Sequence, residues 1–288
     1  MSTVPRSYLS CGAPSFLSSN AGYSATVTNN EIKSLVDLED GVLKITVATD
    51  AAGTSLSGQA MVEGVAALRS LNAGDLRSGC ILLQSSGPNF CAGGDVRAFA
   101  GASDRGSYVR DVAETFHAFV RELAASTVPI VAGVHGWAAG AGMSLVCHAD
   151  VAIGGRATKL RPAYPGIGFT PDGGLTWTLP RIVGSARARD ILLNDSIING
   201  EDAVRLGILS RLVGDDIIGT EAERLARTFA AGPTSAFRGA KALLLQSETN
   251  TLAQQLDAET ESISASADSP TGREGVDAFI EKRRPDFS

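Results

Sequence analysis

Two glycine-rich turns, each placed directly after an apolar strand-like run, constrain this chain more than any other feature. The first is FCAGGD at 90–95, after ILLQ at 81–84, and the second is HGWAAGAG at 135–142, after PIVAGV at 129–134. Small residues let a ligand oxygen approach the backbone closely, and a helix that begins near residue 141 adds free N–H groups and a positive dipole end. The two turns therefore predict a site that holds an oxyanion, such as an enolate or a tetrahedral intermediate.

The composition of the chain limits its partners and its compartment. Its 288 residues carry a net charge of −6 and no basic run longer than residues 282–284, which argues against a nucleic acid or an anionic membrane as a partner. The four cysteines show no CxxC spacing, so we expect no disulfide framework and a reducing compartment. The chain also lacks a stretch apolar enough to span a bilayer and the pattern of a signal peptide, and we therefore expect a cytoplasmic protein.

Strand and helix patterns alternate along most of the chain. Residues 1–34 are rich in Ser, Asn, Gly and Pro without periodicity, and we predict a mobile N-terminal arm there. For residues 35–213 we predict an α/β core, with strands at 41–47, 80–84, 129–134, 150–153 and 209–213 and helices at 56–71, 110–124, 141–147, 186–193 and 200–206. Residues 214–288 are predicted to form a C-terminal helical region, with helices at 221–231, 234–246, 252–263 and 272–282.

At the two turns the sequence resembles the crotonase superfamily of enoyl-CoA hydratases and isomerases, whose first turn reads roughly Ala-Gly-x-Asp and whose second is a glycine-rich helix start. IGFTPDGGLTWTLPRIVG at 167–184 and EGVDAFIEKR at 274–283 resemble two further blocks of the same superfamily. The resemblance covers residues 36–286. It implies a crotonase-like ββα spiral core, a C-terminal helical region that makes trimer contacts, and a homotrimer or a dimer of trimers. It also implies an acyl-CoA thioester as ligand, with coenzyme A as part of the substrate and no metal or redox cofactor.

The resemblance assigns roles to residues of both turns. In the family the thioester oxygen is held by backbone N–H groups at the positions of Ala92 and Ala141. Ala141 stands where the family usually has Gly, and since alanine keeps its N–H we expect the oxyanion hole to be intact. Gly140 and Asp95, which belong to the same two motifs, are expected beside the substrate. The spacing of 140–142 does not match a dinucleotide loop, because no third glycine follows at the required distance.

The residues around this hole decide which reaction is expected. Typical hydratases of the superfamily carry two glutamates, and here those positions hold Ser144 and Tyr164. Neither is a ready base near neutral pH, so hydratase activity is disfavoured. Asp172 stands where several enoyl-CoA isomerases place a single catalytic carboxylate, which can remove a proton from a 3-enoyl thioester and return it at the other end. The neighbouring sequence is most similar to isomerases of phenylacetate-type ring metabolism. Fatty-acid isomerases remain an alternative.

Other interpretations of these residues remain open at this stage. Asp172 could cap a helix, since Asp before Gly-Gly and an apolar run is a common helix start. His117 matches a catalytic histidine of the 4-chlorobenzoyl-CoA dehalogenase branch, in which the Asp at the position of Asp172 is the nucleophile. A hydrolytic dehalogenase or thioesterase is thus an alternative, although between Phe116 and Phe119 we expect His117 to be a packed or capping group. Loss of both family glutamates also allows a catalytically silent acyl-CoA binding protein.

Four further positions complete the predicted substrate-binding set. Tyr164 is expected to line the acyl pocket. Trp137 is expected to be an aromatic residue of the pocket or the core. Phe279 and Lys282 resemble residues that meet the nucleotide of coenzyme A in relatives.

Overall fold

The computed structural model describes residues 33–287, so the predicted N-terminal arm lies outside the described residues except for its last two positions. The strands are β1 (Val36–Glu39), β2 (Val42–Ala48), β3 (Cys80–Ser85), β4 (Ile130–Val134), β5 (Trp137–Ala139), β6 (Val151–Gly154), β7 (Lys159–Arg161), β8 (Ile198–Asn199) and β9 (Arg211–Leu212). The α-helices are α1 (Gly58–Ala73), α2 (Val96–Gly101), α3 (Arg105–Ala125), α4 (Ala141–Val146), α5 (Leu175–Val183), α6 (Ser185–Leu193), α7 (Gly200–Arg205), α8 (Ile218–Ala230), α9 (Thr234–Ser247), α10 (Leu252–Asp268) and α11 (Pro270–Glu281).

A six-stranded sheet in the order β1-β2-β3-β4-β6-β9 carries the core. β1 is antiparallel to β2, and all other neighbours in this sheet are parallel. Residues of β3 alternate between the two faces, because successive side chains of a strand point in opposite directions. Ile81 and Leu83 pack in the larger hydrophobic core, whereas Cys80 and Leu82 pack in a smaller one with Ala222 of α8. The sheet is therefore covered on both sides, as is usual for parallel strands.

A second sheet, in the order β5-β7-β8, was missed by the sequence analysis. β5 is parallel to β7, and β7 is antiparallel to β8. β5 lies inside the second glycine-rich turn, so residues 135–142 form a short strand and a helix start rather than a simple loop. Strands of two or three residues are too short to show the alternation on which a sequence prediction depends.

The predicted helices are all present, with shifted ends. The helix predicted at 110–124 begins at Arg105, because the side chain of Asp104 accepts a hydrogen bond from the backbone N–H of Ser107 and caps it. α2 and α5 were not predicted. α5 contains Pro180 and follows Gly173 and Gly174, which both have positive φ and hide the helical pattern. Helices α8–α11 follow β9, and within residues 33–287 no helix has the length and hydropathy needed to cross a membrane.

Candidate active site

A cavity of about 950 Å³ opens where the chain leaves β3 and β4 and enters the two glycine-rich turns. Part of its wall is apolar and comes mainly from α2, α3 and the segment before α5: Val96, Phe99, Val109, Val112, Phe116 and Phe169. The rings of Phe99 and Phe169 stack with centroids 6.1 Å apart. The rest of the wall includes both turns and several polar side chains, among them His117, Tyr164 and Asp172. The cavity thus combines an apolar chamber with backbone amides and one carboxylate.

The two turns are joined by backbone hydrogen bonds. Cys91 N–H donates to the carbonyl of Trp137 at 3.0 Å, and Ala139 N–H donates to the carbonyl of Cys91 at 2.8 Å. The next residues also lie close together, because a Cβ placed on Gly140 would be 3.5 Å from the Cα of Gly93. The amides that follow in each turn therefore reach the same cavity.

The structure places one predicted oxyanion donor in the cavity wall with its N–H free. Ala141 is the first residue of α4 and lines the cavity. Among the described residues none accepts a hydrogen bond from its N–H, as is usual in the first turn of a helix. Gly140 before it has φ of +53° and ψ of −120°, a conformation that favours glycine, and its own N–H donates to the carbonyl of Arg161 at 3.0 Å.

The prediction that Ala92 supplies the other oxyanion donor is wrong. Its N–H donates to the carbonyl of Thr54 at 2.8 Å and is therefore not available to a ligand. Gly94, two residues later, also lines the cavity, and no described residue accepts a hydrogen bond from its N–H. Gly94 and Ala141 thus each bring to the cavity wall an N–H group that no described residue uses.

Asp172 lies in the cavity wall with its carboxylate held by a neighbour. Its Oδ1 accepts a hydrogen bond from the hydroxyl of Tyr164 at 2.7 Å, and its backbone carbonyl accepts one from Ser144 Oγ at 3.1 Å. The helix-capping interpretation of Asp172 is wrong, because the N-cap of α5 is Gly174 and no side chain caps that helix. The Asp172 side chain therefore contacts Tyr164 in the cavity wall and does not cap α5.

The two positions that hold glutamates in hydratases form a compact hydroxyl pair. Ser144 Oγ and the hydroxyl oxygen of Tyr164 are 3.3 Å apart, and both residues are buried. Burial, followed by the nearby charge of Asp172, raises the pKa of Tyr164 above its usual range. The Tyr164 hydroxyl consequently stays protonated and acts as a donor, so neither position supplies a second base.

Two histidines hold the peptide that follows Asp172. His117 Nε2, on α3, accepts a hydrogen bond from Gly173 N–H at 3.1 Å. His148 Nε2 lies 3.0 Å from the carbonyl oxygen of Gly173 and must donate to it, since a carbonyl only accepts. Burial lowers the pKa of His148, which favours the neutral ring. His117 lines the cavity, but the lone pair of its Nε2 is already used by this backbone contact.

The remaining predicted binding residues lie apart from the cavity wall of this chain. Asp95 caps α2, with its Oδ1 accepting from the N–H groups of Arg97 and Ala98 at 2.9 and 3.1 Å. Trp137 lies in β5 with Lys159 Nζ 5.3 Å from its ring centroid. Phe279 is 85% exposed on α11, and Lys282 ends that helix in the left-handed region.

The apolar residues that the sequence analysis missed are those of the chamber. Phe99 and Phe169 belong to segments without a periodic pattern, and Arg105 at the start of α3 also lines the cavity. They come together only because α2, α3 and the segment before α5 fold over the same opening, and no local signal in the sequence reports that. Gly140 and Tyr164, by contrast, were predicted near the substrate and line the cavity.

A family model described as enoyl-CoA hydratase/isomerase matches residues 37–288. The chain belongs to this family. The resemblance to the crotonase superfamily stated from the two turns is thereby confirmed, and so is the α/β crotonase-like fold. An enoyl-CoA hydratase from Polaromonas sp. JS666 has a similar crystal structure, with a TM-score of 0.80, 26% identity, and coverage of 87% of this chain and 97% of that one.

Relatives with different reaction names are similar to this enoyl-CoA hydratase/isomerase family member. A 1,2-epoxyphenylacetyl-CoA isomerase from Escherichia coli is 37% identical over 214 residues, which cover 73% of this chain and 80% of the relative. A protein named as a probable enoyl-CoA hydratase from Rhodobacter capsulatus is 33% identical over 252 residues, which cover 88% and 96%. The family is one of acyl-CoA enzymes, and its members carry both isomerase and hydratase names.

Proposed function

We propose that this protein is an enoyl-CoA isomerase that shifts a double bond through an enolate. One observation carries the proposal: a single carboxylate, that of Asp172, faces a cavity with the free amides of Gly94 and Ala141. Addition of water needs groups that deprotonate water and protonate carbon. The two positions that supply them in hydratases hold the hydroxyls of Ser144 and Tyr164, which leaves Asp172 as the base.

One carboxylate is sufficient for the proposed isomerisation. Asp172 removes a proton from a carbon next to the double bond of a 3-enoyl thioester, and the C–H electron pair moves into a dienolate. The thioester oxygen then carries the negative charge, and the N–H groups of Gly94 and Ala141 hold it. The same carboxyl group returns the proton at the other end. A donor of this kind contributes roughly 3–4 kcal/mol and a positioned base roughly 10²- to 10⁴-fold in rate, and the scheme uses no metal or redox cofactor.

The chamber supports an apolar acyl group as the substrate. The rings of Phe99, Phe116 and Phe169 and three valines form the wall beside Asp172. Stacked aromatic rings suit both flat ring-derived acyl groups and straight chains, so both classes belong in the assay.

The experiment that tests the proposal is conversion of 3-hexenoyl-CoA in deuterated water. The products are separated and their masses are measured by mass spectrometry. A ring-derived 3-enoyl thioester is assayed in parallel. A 2-enoyl product that carries deuterium is expected, since the proton on the carboxyl group exchanges with solvent. With 2-hexenoyl-CoA supplied directly, a 3-hydroxyacyl product would identify a hydratase, and release of free coenzyme A would identify a hydrolase. Tight binding without turnover of either thioester would identify a silent acyl-CoA binding protein and overturn the proposal.

Hydrolysis of a thioester, or hydrolytic dehalogenation of an aryl group, is the alternative reaction, because His117 and Asp172 line the same cavity. In that scheme His117 would act as a base, yet its Nε2 already accepts from Gly173 N–H. We expect His117→Gln to keep isomerase activity within about tenfold, less than the loss of a general base costs, because the glutamine carbonyl can accept the same hydrogen bond. The rate of 3-enoyl isomerisation measures this. A loss of several hundredfold would show that His117 takes part in the proton transfer, whereas an adduct on Asp172 seen by mass spectrometry would favour the hydrolytic scheme.

We also propose that the C-terminal helices assemble the protein as a homotrimer or a dimer of trimers. Leu252, Leu256 and Ile263 of α10 are 76, 52 and 72% exposed, and such a cluster of large apolar side chains is typical of an interface. Light scattering is expected to give three or six times the chain mass of 29.7 kDa. The double variant Leu256→Glu, Ile263→Glu should lower that mass, whereas Leu193→Glu, equally exposed on α6, should not. A monomeric wild type would contradict the assembly.

A further inference from the structure

Tyr164 makes the single side-chain hydrogen bond to the carboxylate of Asp172 among the described residues. Its hydroxyl donates to Oδ1 at 2.7 Å, and no described residue donates a hydrogen bond to Oδ2. Tyr164 is itself 8% exposed, packed in the larger core, and lies just before the short turn Pro165–Ile167. A buried tyrosine thus holds one oxygen of the carboxylate and leaves the other without a partner.

The direction of this hydrogen bond follows from the chemistry of both groups. An ionised carboxylate only accepts, and a tyrosine hydroxyl that stays protonated has one hydrogen to give. Ser144 Oγ also lies 3.3 Å from the Tyr164 oxygen, but its single hydrogen goes to the backbone carbonyl of Asp172 at 3.1 Å. Hydrogen bonds to charged acceptors are stronger than neutral ones, so the Tyr164 contact fixes the orientation of the Asp172 carboxylate.

We propose that Tyr164 is a positioning residue, which orients the Asp172 carboxylate through Oδ1 and makes Oδ2 the atom that carries the proton. The inference rests on the proposed isomerase function. The substrate C–H bond breaks, its proton goes to Oδ2, and its electron pair goes into the dienolate. The proton then leaves Oδ2 for the other end of the dienolate. The O–H bond of Tyr164 stays intact throughout, and no other reactant is needed.

The other charged or titratable groups near Asp172 are accounted for. His117 on α3 and His148 after α4 hold Gly173, on its N–H and its carbonyl respectively. Arg161 of β7 lines the cavity but pairs with Asp195, with Nε 3.0 Å from its Oδ2. Arg105 at the start of α3 lines the cavity too. A change of Tyr164 to Phe leaves all of these groups in place, so a change in kcat reports on the Tyr164 hydroxyl.

The experiment compares kcat and KM for wild type, Tyr164→Phe and Tyr108→Phe. Tyr108 is the matched control, because it loses the same atom from a half-exposed ring on α3 that packs edge-on against Phe99. In Tyr164→Phe the carboxylate is no longer held through Oδ1, so Oδ2 is no longer fixed toward the substrate. We therefore expect kcat to fall by about tenfold or more, with a smaller change in KM. Tyr108→Phe should leave both unchanged.

A second measurement does not depend on turnover. The ¹³C carboxyl resonance of Asp172, assigned by its absence in Asp172→Asn, is expected to shift in Tyr164→Phe relative to wild type at one fixed pH, because the hydrogen bond to Oδ1 is lost. An unchanged resonance would overturn the inference, whatever the activities of the two proteins. A shifted resonance in a protein whose wild type fails to isomerise would support the contact and reject the proposed function. Should Tyr164→Phe not fold, 3-fluorotyrosine at this position, a stronger donor, is expected to shift the resonance in the opposite direction, and no change would overturn the inference.

Discussion

Asp172→Asn is expected to lower the rate of 3-enoyl isomerisation by roughly 10²- to 10⁴-fold, the usual contribution of a positioned acid or base. Asparagine has nearly the same shape, and its carbonyl oxygen can still accept from the hydroxyl of Tyr164. The variant should therefore fold and bind acyl-CoA as the wild type does, because the amides of Gly94 and Ala141 are unaffected. It loses only the group that takes and returns the proton.

The measurement for Asp172→Asn is the initial rate on 3-hexenoyl-CoA, together with deuterium incorporation from solvent and acyl-CoA binding by calorimetry. Asp111→Asn is the matched control, since Asp111 is exposed on α3 and does not line the cavity. Unchanged binding with lost turnover and lost deuterium incorporation is expected. Equal rates for Asp172→Asn and wild type would show that another group removes the proton, and the isomerase scheme would be abandoned.

Gly142→Ala is expected to give the largest loss of stability among the glycine changes near the site. A Cβ at this position would overlap the carbonyl oxygen of Cys91 and lie 2.9 Å from the Cys91 Cβ. Neither atom of Cys91 can move easily, because Cys91 is fully buried and its backbone forms hydrogen bonds with both Trp137 and Ala139. Overpacking of this kind costs about 1–3 kcal/mol and sometimes more. The strain would separate the two turns, so turnover should fall with stability.

Thermal and denaturant unfolding of Gly142→Ala measure this effect, and its residual rate is measured well below its melting temperature. Gly58→Ala serves as the control, since Gly58 is the exposed first residue of α1 and a Cβ there would meet nothing within 4 Å. At such a site alanine is expected to be neutral or to stabilise by about 0.4–1 kcal/mol. Unfolding of Gly142→Ala at the wild-type midpoint would contradict the close packing of α4 against the first turn.

Long elements with strong patterns were predictable from the sequence, and short ones were not. The apolar run of β3 and the periodic helices α1 and α3 bury faces whose spacing is visible locally. β5 and β7 have three residues each, and α5 is obscured by glycines and a proline. Their conformation depends on hydrogen bonds to distant segments, such as that of Gly140 N–H to the Arg161 carbonyl, and a local pattern does not record such partners.

The sequence by itself determined the family, the α/β fold, and a single candidate carboxylate, Asp172, downstream of two glycine-rich turns. These follow from motif order and from residue types whose chemistry is intrinsic. The tertiary structure decided which atoms are free to act. The carbonyl of Thr54, 38 residues earlier in the chain, accepts the hydrogen bond from Ala92 N–H, whereas no described residue accepts one from Gly94 N–H. Tyr164, eight residues before Asp172, takes one of its carboxylate oxygens. Which N–H groups and carboxylate oxygens can meet a ligand depends on hydrogen bonds between distant residues, and these form only in the folded chain.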